Sequence, residues 1–239
     1  LAVATVLASA ALVVSIARSP YFQVRDVEVR GTTRVSSAQV MKLTGWPKPR
    51  SIFEIPIRRV EAALNRNPWV ERALVRRKFP DRLIVDITER KPRAMVHLED
   101  LFYVDQEGVV FKRVTKGDGL NFPILTGLKE DEVTRPEGHE LLARALELQT
   151  LLEKEPRFRS IVSEIHISKQ LGFSVITMGR TREIRFGFDN FPLKMGSLNK
   201  LFDRLERQQL QARFIDLSFH NIIVVRPAAK LEDEDTVGL

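Results

Sequence analysis

The side chains that carry chemistry are few in this sequence and poorly spaced for acting together. Its 4 histidines, His97, His139, His166 and His220, fall one to an element. No His-x-x-x-His or His-x-x-Glu pairing puts two metal ligands, or a ligand and a base, on one helix face. No serine lies in a Gly-x-Ser-x-Gly elbow, and neither a phosphate-cradling P-loop nor a dinucleotide glycine pattern occurs. Cysteine is absent, which excludes disulfides, thiolate zinc sites, iron–sulfur clusters and a cysteine nucleophile. The acidic pair Glu99-Asp100 stands in a turn-like stretch, where solvated charge is the default. These residues point to a chain that is not an enzyme, with no catalytic site, metal, cofactor or small-molecule substrate.

What remains is the chemistry of the backbone. Two apolar stretches near the C-terminus, 214–219 and 222–226, read as strands. If either lies at a sheet edge, its unpaired N–H and C=O groups can accept a strand from a partner protein, with alternate side chains setting specificity. Phe219 is the preferred anchor, because aromatic residues dominate interface hot spots.

Two folded regions must position that edge. In the first, about residues 21–90, Val27 and Val29 alternate with charged residues and stop at Gly31, a half-buried strand. Ser36 and Gln39 have the spacing of a capping box, followed by Val40 and Leu43 on a short helix that Gly45 ends. After the Pro47-Lys48-Pro49 break, Ile57, Val60, Ala63 and Leu64 recur at helical spacing up to Asn67-Pro68. Ala73 and Val75, a Phe79-Pro80-Asp81-Arg82 turn, and Leu83, Val85 and Ile87 complete a hairpin. The order is β-α-α-β-β, a three-stranded sheet with two helices on one face.

The second region, about 91–227, is rich in strands. Asp105-Gln106-Glu107-Gly108 turns one hairpin, and apolar residues before Gly127 form a further short strand. A helix over 136–154 carries Leu141, Leu142, Ala145, Leu148 and Leu152. Three strands follow as an antiparallel meander, then a helix over 192–209 carries Leu193, Leu198, Leu201, Phe202 and Leu205. The fold class expected is α+β: an N-terminal transmembrane helix, a small β-α-α-β-β domain, and a mixed, mostly antiparallel β domain with two helices.

Residues 1–17 contain no charge and only Thr5, Ser9 and Ser15 as polar interruptions. A spanning helix needs about 20 apolar residues, so the segment reads as a membrane anchor truncated at its start, in preference to a cleaved secretory signal. Residues 228–239 read as a flexible acidic tail. The formal charge of +7 would suit nucleic acid, an anionic membrane or simple solubility. No nucleic-acid-binding motif accompanies it, and the basic run over 76–82 reads as a solvated hairpin face.

The run Asn67-Pro68-Trp69-Val70, Ala73, Val75, Arg76, Arg77, Phe79-Pro80, Leu83, Val85 and Glu89-Arg90-Lys91-Pro92 resembles the POTRA domain of the FtsQ/DivIB cell-division family. POTRA domains also occur in outer-membrane assembly and polypeptide transport. That alternative needs many membrane strands of about 9–11 residues, for which the chain offers no room. Farther on, Val104-Asp105, Gly108-Val109-Val110-Phe111 and Pro123-Ile124-Leu125-Thr126-Gly127 resemble the family's β domain. Phe214-Ile215-Asp216-Leu217-Ser218-Phe219 resembles its closing motif, with Ser218 where arginine is usual. The resemblance implies a bitopic scaffold in the cytoplasmic membrane at the division septum, its bulk extracytoplasmic. It implies partners of the FtsB/FtsL type (DivIC-like), membrane-anchored coiled-coil proteins, received at the C-terminal strand region. Phe214, Asp216, Ser218, Phe219, His220, Ile222 and Val224 are the partner-binding residues expected.

Overall fold

In the computed structural model, residues 2–17, 19–44, 50–179, 181–220 and 222–228 are described. The expected stop at Gly45, the break at Pro47-Lys48-Pro49 and the tail from residue 229 onward lie outside them. The chain divides into two compact units, Leu1–Lys91 and Pro92–Leu239.

The first unit begins with helix α1, Ala2–Ala17, uncharged throughout. Its Ser9 hydroxyl donates to the Thr5 carbonyl at 2.8 Å, satisfying a polar group within an apolar helix. Its 16 residues rise about 24 Å, short of the roughly 30 Å of a bilayer core. No helix among the described residues is long and apolar enough to cross a membrane.

Strand β1 (Asp26–Arg30), helices α2 (Ser37–Thr44) and α3 (Ile57–Leu64), and strands β2 (Val70–Lys78) and β3 (Arg82–Glu89) follow in the expected β-α-α-β-β order. The sheet order is β1-β3-β2, with β1 parallel and β2 antiparallel to β3. Alternation on the strands turns Ala73, Val75, Leu83, Val85 and Ile87 inward, against Val40, Ile52, Val60 and Leu64. The capping box at α2 is present in both directions, Gln39 N–H to Ser36 Oγ at 3.2 Å and Ser36 N–H to Gln39 Oε1 at 3.0 Å.

Two polar devices hold this unit. The carboxylate of Glu89, at the end of β3, accepts the backbone N–H groups of Thr33, Arg34 and Val35 at 2.8, 2.7 and 2.7 Å, fixing the loop between β1 and α2. On the outer side of edge strand β2, the N–H of Ala73 donates to Asn65 Oδ1 and that of Val75 to Glu61 Oε1, both at 2.9 Å. These ladder donors are therefore occupied by side chains from α3 and the residue after it.

The second unit is a nine-stranded sheet, order β12-β11-β10-β9-β8-β7-β4-β5-β6. Its strands are β4 (Pro92–His97), β5 (Leu101–Asp105), β6 (Val110–Arg113), β7 (Ile124–Thr126), β8 (Val162–Ser168), β9 (Gly172–Thr177), β10 (Glu183–Gly187), β11 (Ala212–Asp216) and β12 (Val224–Pro227). Most pairings are antiparallel and β8-β9-β10 is a meander, but β4–β7, β7–β8 and β10–β11 are parallel. Helices α5 (Pro136–Lys154) and α6 (Phe191–Arg207) cover the sheet. Leu142, Ala145, Leu148 and Leu152 of α5, with Phe191, Met195 and Leu198 of α6, meet Val96, Leu125, Ile165, Val175, Ile184 and Ile215 in one core. A further four-residue helix, α4 (Glu130–Val133), was not anticipated. It is a single capped turn, too short for a hydrophobic period to reveal.

Gly172 and Gly187 pack back to back across β9 and β10. Gly172 has φ +78°, and a Cβ built on it would lie 2.2 Å from the carbonyl carbon of Gly187. The loop after β6 closes on Asp118, whose carboxylate accepts Lys112 Nζ at 2.7 Å, Thr115 N–H at 2.8 Å and the Thr115 hydroxyl at 2.9 Å. Burial pushes the Asp118 pKa up, but the Lys112 and Thr115 bonds together outweigh it and hold the carboxyl below its ordinary value.

Three stability measurements check these constraints. Glu89→Ala leaves three aligned donors without their acceptor, and is expected to lower the unfolding free energy by about 1–3 kcal/mol in urea titration. Gly172→Ala combines left-handed strain with a backbone clash, and a loss of at least about 2 kcal/mol is expected in the same assay. Because the folded pKa of Asp118 is depressed, its contribution is present above the unfolded carboxylate pKa and is lost as pH falls through the folded one. Asp118→Asn should therefore lower the urea midpoint at pH 7, with the difference from the unsubstituted chain shrinking as pH falls below the ordinary carboxylate range.

Candidate functional site

The structure decides which of the two C-terminal stretches is the edge. Strand β11 is interior, parallel to β10 on one side and antiparallel to β12 on the other, so Phe214 and Asp216 do not present a free backbone. Strand β12 is the terminal strand of the sheet, and Val224 at its start is 39% exposed. Of the two stretches expected as a possible edge, 222–226 contains the terminal strand and 214–219 the interior one, because the chain turns back on itself once β11 has paired.

The turn is built on Asp216. One carboxylate oxygen accepts the N–H and hydroxyl of Ser218 at 2.9 and 2.6 Å, and the other accepts Arg185 Nη1 from β10 at 3.2 Å. Asp216 is buried, so its charge is compensated rather than offered to a partner. Leu217 N–H continues the ladder to the Arg185 carbonyl at 2.8 Å, after which the chain leaves the sheet. Gly187 makes room for it, since a Cβ there would come within 3.1 Å of the Ser218 side chain. Phe214 has the guanidinium groups of Arg185 and Arg226 over its ring at 5.2 and 5.1 Å, a cation–π arrangement that ties β10, β11 and β12 together.

Beyond the turn lies a groove of about 340 Å³, formed by Leu217, Ser218, Phe219, His220, Ile222 and Ile223 on one side and the first turns of α6 on the other. Phe219 is 54% exposed, Ile222 61% and Leu193, facing them from α6, 73%. Large apolar side chains this exposed and this close together mark an unsatisfied surface. At its mouth Lys194 Nζ donates to Asp189 Oδ1 at 3.0 Å and to the Phe186 carbonyl at 2.8 Å. The Lys194 ammonium holds the Asp189 carboxyl below its usual value against a weaker upward push from burial, with Asn190 and Arg144 adding to it.

Of the seven residues expected at the site, Ser218, Phe219, His220 and Ile222 line this groove, and Val224 follows on the edge strand. Phe214 and Asp216 stand behind it as supports. Leu193, Lys194 and Ile223 were not anticipated as site residues. A signal for Leu193 existed: it lies about 200° around the helix from Phe191, off the stripe formed by Phe191, Met195 and Leu198, where an apolar side chain has no core to enter.

Elsewhere one cluster brings a hydroxyl, an imidazole and a carboxylate together. Thr126 Oγ1 is 2.5 Å from Glu164 Oε1 and 2.8 Å from His166 Nδ1. The Thr126 hydroxyl donates to the Glu164 carboxylate, which only accepts, and the His166 ring nitrogen completes the cluster. Among the described residues, no group of three or more histidine or carboxylate side chains is placed to hold a metal.

Comparison with known proteins covers both units. Residues 22–90 match the model of the FtsQ-type POTRA domain, and residues 94–218 match that of the C-terminal domain of the cell division protein FtsQ/DivIB. A cell division protein FtsQ from Geobacter sp. (strain M21) is 33% identical over 214 residues, 88% of this chain and 78% of that protein. One from Syntrophotalea carbinolica is 32% identical over 233 residues, 92% of this chain and 82% of that protein. The cell division protein DivIB of Clostridium tetani is 23% identical over 116 residues, 48% of this chain and 44% of that protein. The C-terminal domain match ends at Ser218, so Phe219 and the edge strand lie past it. With both units matched in order and relatives aligned along most of its length, the chain belongs to the FtsQ/DivIB family of cell division proteins.

Proposed function

We propose that this protein is a non-enzymatic, bitopic scaffold of the bacterial divisome. In this reading residues 1–17 belong to a single-span anchor in the cytoplasmic membrane, 21–90 form the POTRA domain, 91–227 the β domain, and 228–239 an acidic tail. The bulk of the chain is extracytoplasmic and gathers at the septum. Its task is to hold a membrane-anchored coiled-coil partner of the FtsB/FtsL or DivIC type and so control septal peptidoglycan synthesis.

The observation that carries this reading is the continuity of the open strand β12 with the apolar groove beside it. A partner segment adding antiparallel or parallel to β12 satisfies the strand's outward N–H and C=O groups. Its side chains then reach Phe219, Ile222 and Leu193. Backbone pairing supplies general affinity and the groove supplies selectivity, as strand addition requires. Asp216 and Arg185 contribute by holding the turn in place. The polypeptide-transport alternative draws no support from the second unit, whose match is to the FtsQ/DivIB C-terminal domain.

The test is binding of the full chain, in detergent micelles, to a peptide from the C-terminal segment of an FtsB-like protein. Phe219→Ala and Leu193→Asp are each expected to weaken binding by about tenfold or more, as loss of a hot-spot contact does. Val225→Pro is expected to abolish it by removing the outward donor of β12, since the β11–β12 register turns the amides of Val224 and Arg226 inward. Circular dichroism checks that each variant remains folded. Wild-type affinity in all three folded variants would place the partner elsewhere and sink the strand-addition reading.

A further inference from the structure

A second unsatisfied surface lies on the first unit, far along the chain from the groove. Four aromatic rings form a continuous row: Tyr21 on Phe22 at 5.2 Å, Phe22 on Phe53 at 5.2 Å and Phe53 on Phe79 at 5.4 Å. Phe22 packs on the core of the unit, whereas Tyr21, Phe53 and Phe79 are 63, 46 and 58% exposed. The row is anchored from beneath. Ile52 N–H donates to the Phe22 carbonyl at 2.8 Å, and Val24 N–H to the Arg50 carbonyl at 3.1 Å. Arg77 clamps the carbonyls of Ile52 and Ile55, both at 2.7 Å. Three large rings are thus held outward by a rigid base, on a unit whose own core they do not enter.

The chain itself says what lies near them. Tyr21 is four residues beyond Ala17, the last residue of α1. Even fully extended, that stretch spans at most about 14 Å. It is shorter than this, because Ser19 caps a turn of 3-10 helix over Pro20–Phe22, accepting Tyr21 N–H on its hydroxyl at 3.3 Å. If α1 is the end of a membrane anchor, the row begins less than about 14 Å from the hydrocarbon, against lipid headgroups that extend about 5–8 Å beyond it. Tyrosine and its aromatic neighbours favour that layer, where an apolar ring body meets a wet polar edge. Exposed Arg25, Arg50 and Lys78 neighbour the rings in sequence, against Asp26 and Glu54, a balance that suits anionic headgroups.

We infer that the Tyr21–Phe53–Phe79 row is a membrane-docking surface, which seats the first unit on the lipid headgroups instead of leaving it free on a tether. The inference rests on the anchor reading of residues 1–17, and the experiment separates the two. The absence of cysteine allows a single label. The full chain is prepared as Lys78→Cys, beside Phe79, and as Glu71→Cys, at the other end of the same strand. The two positions are about 23 Å apart along β2. Lys78→Cys removes a positive charge, so any attraction observed is not created by the substitution. Each variant carries an environment-sensitive fluorophore in vesicles of phosphatidylethanolamine and phosphatidylglycerol containing spin-labelled lipid.

Docking predicts about threefold or greater quenching at position 78 relative to 71, lost in a Phe53→Ser/Phe79→Ser background. Equal quenching at the two positions, with the chain still resistant to alkaline carbonate extraction, overturns docking and leaves the anchor standing. A blue-shifted label at 78 without lipid quenching also overturns it, and assigns the row to a protein neighbour such as a second copy. Release of the wild-type chain by carbonate removes the anchor reading and the docking with it.

Discussion

The C-terminal edge depends on one buried carboxylate. Asp216 divides its two oxygens between Arg185 of the neighbouring strand and the N–H and hydroxyl of Ser218. The first bond secures the parallel pairing of β10 with β11, the least local connection in this part of the sheet, because α6 lies between the two strands. The second turns the chain out of the sheet at the point where the groove begins. A buried charge left without either partner would cost several kcal/mol, roughly the scale on which whole domains are stable. The exposed loop can therefore be apolar and open without being undefined.

This division of labour explains why the proposed site is composite. In the proposed site strand β12 contributes backbone groups, Leu217, Phe219, Ile222 and Ile223 contribute apolar side chains, and α6 contributes Leu193 and Lys194, the latter paired with Asp189 ahead of the helix. No single element could supply all three. A strand alternates its side chains between two faces, so a free edge cannot also present a dense apolar patch in its own plane. The patch has to be brought from a helix and a turn.

Much of the architecture was legible in the residues. Alternation at Leu83, Val85 and Ile87, helical spacing at Val60 and Leu64, and the Ser36–Gln39 capping box each specify a local element, and the structure contains them. The helix expected over 136–154 has those bounds, since Pro136 starts it and a long apolar stripe defines it. What was hidden is what depends on distant pairing. That β11 is interior and β12 terminal follows from the return of the chain to β10 across α6, which no periodicity records. The packing of Phe214 between Arg185 and Arg226, and the pairing of Asp216 with Arg185, were hidden for the same reason. The surface role of Leu193 was within reach of a helical projection, because the residue stands off the buried stripe.

The side chains that close the outer side of β2 have a further meaning for a protein that works in crowded assemblies. With Asn65 and Glu61 seated on the amides of Ala73 and Val75, those two donors are not offered to a strand from an adjacent copy. The edge is blunted at the level of single amides, by two polar side chains and no extra secondary structure. Crowding then meets an edge at which two of the ladder donors already have partners.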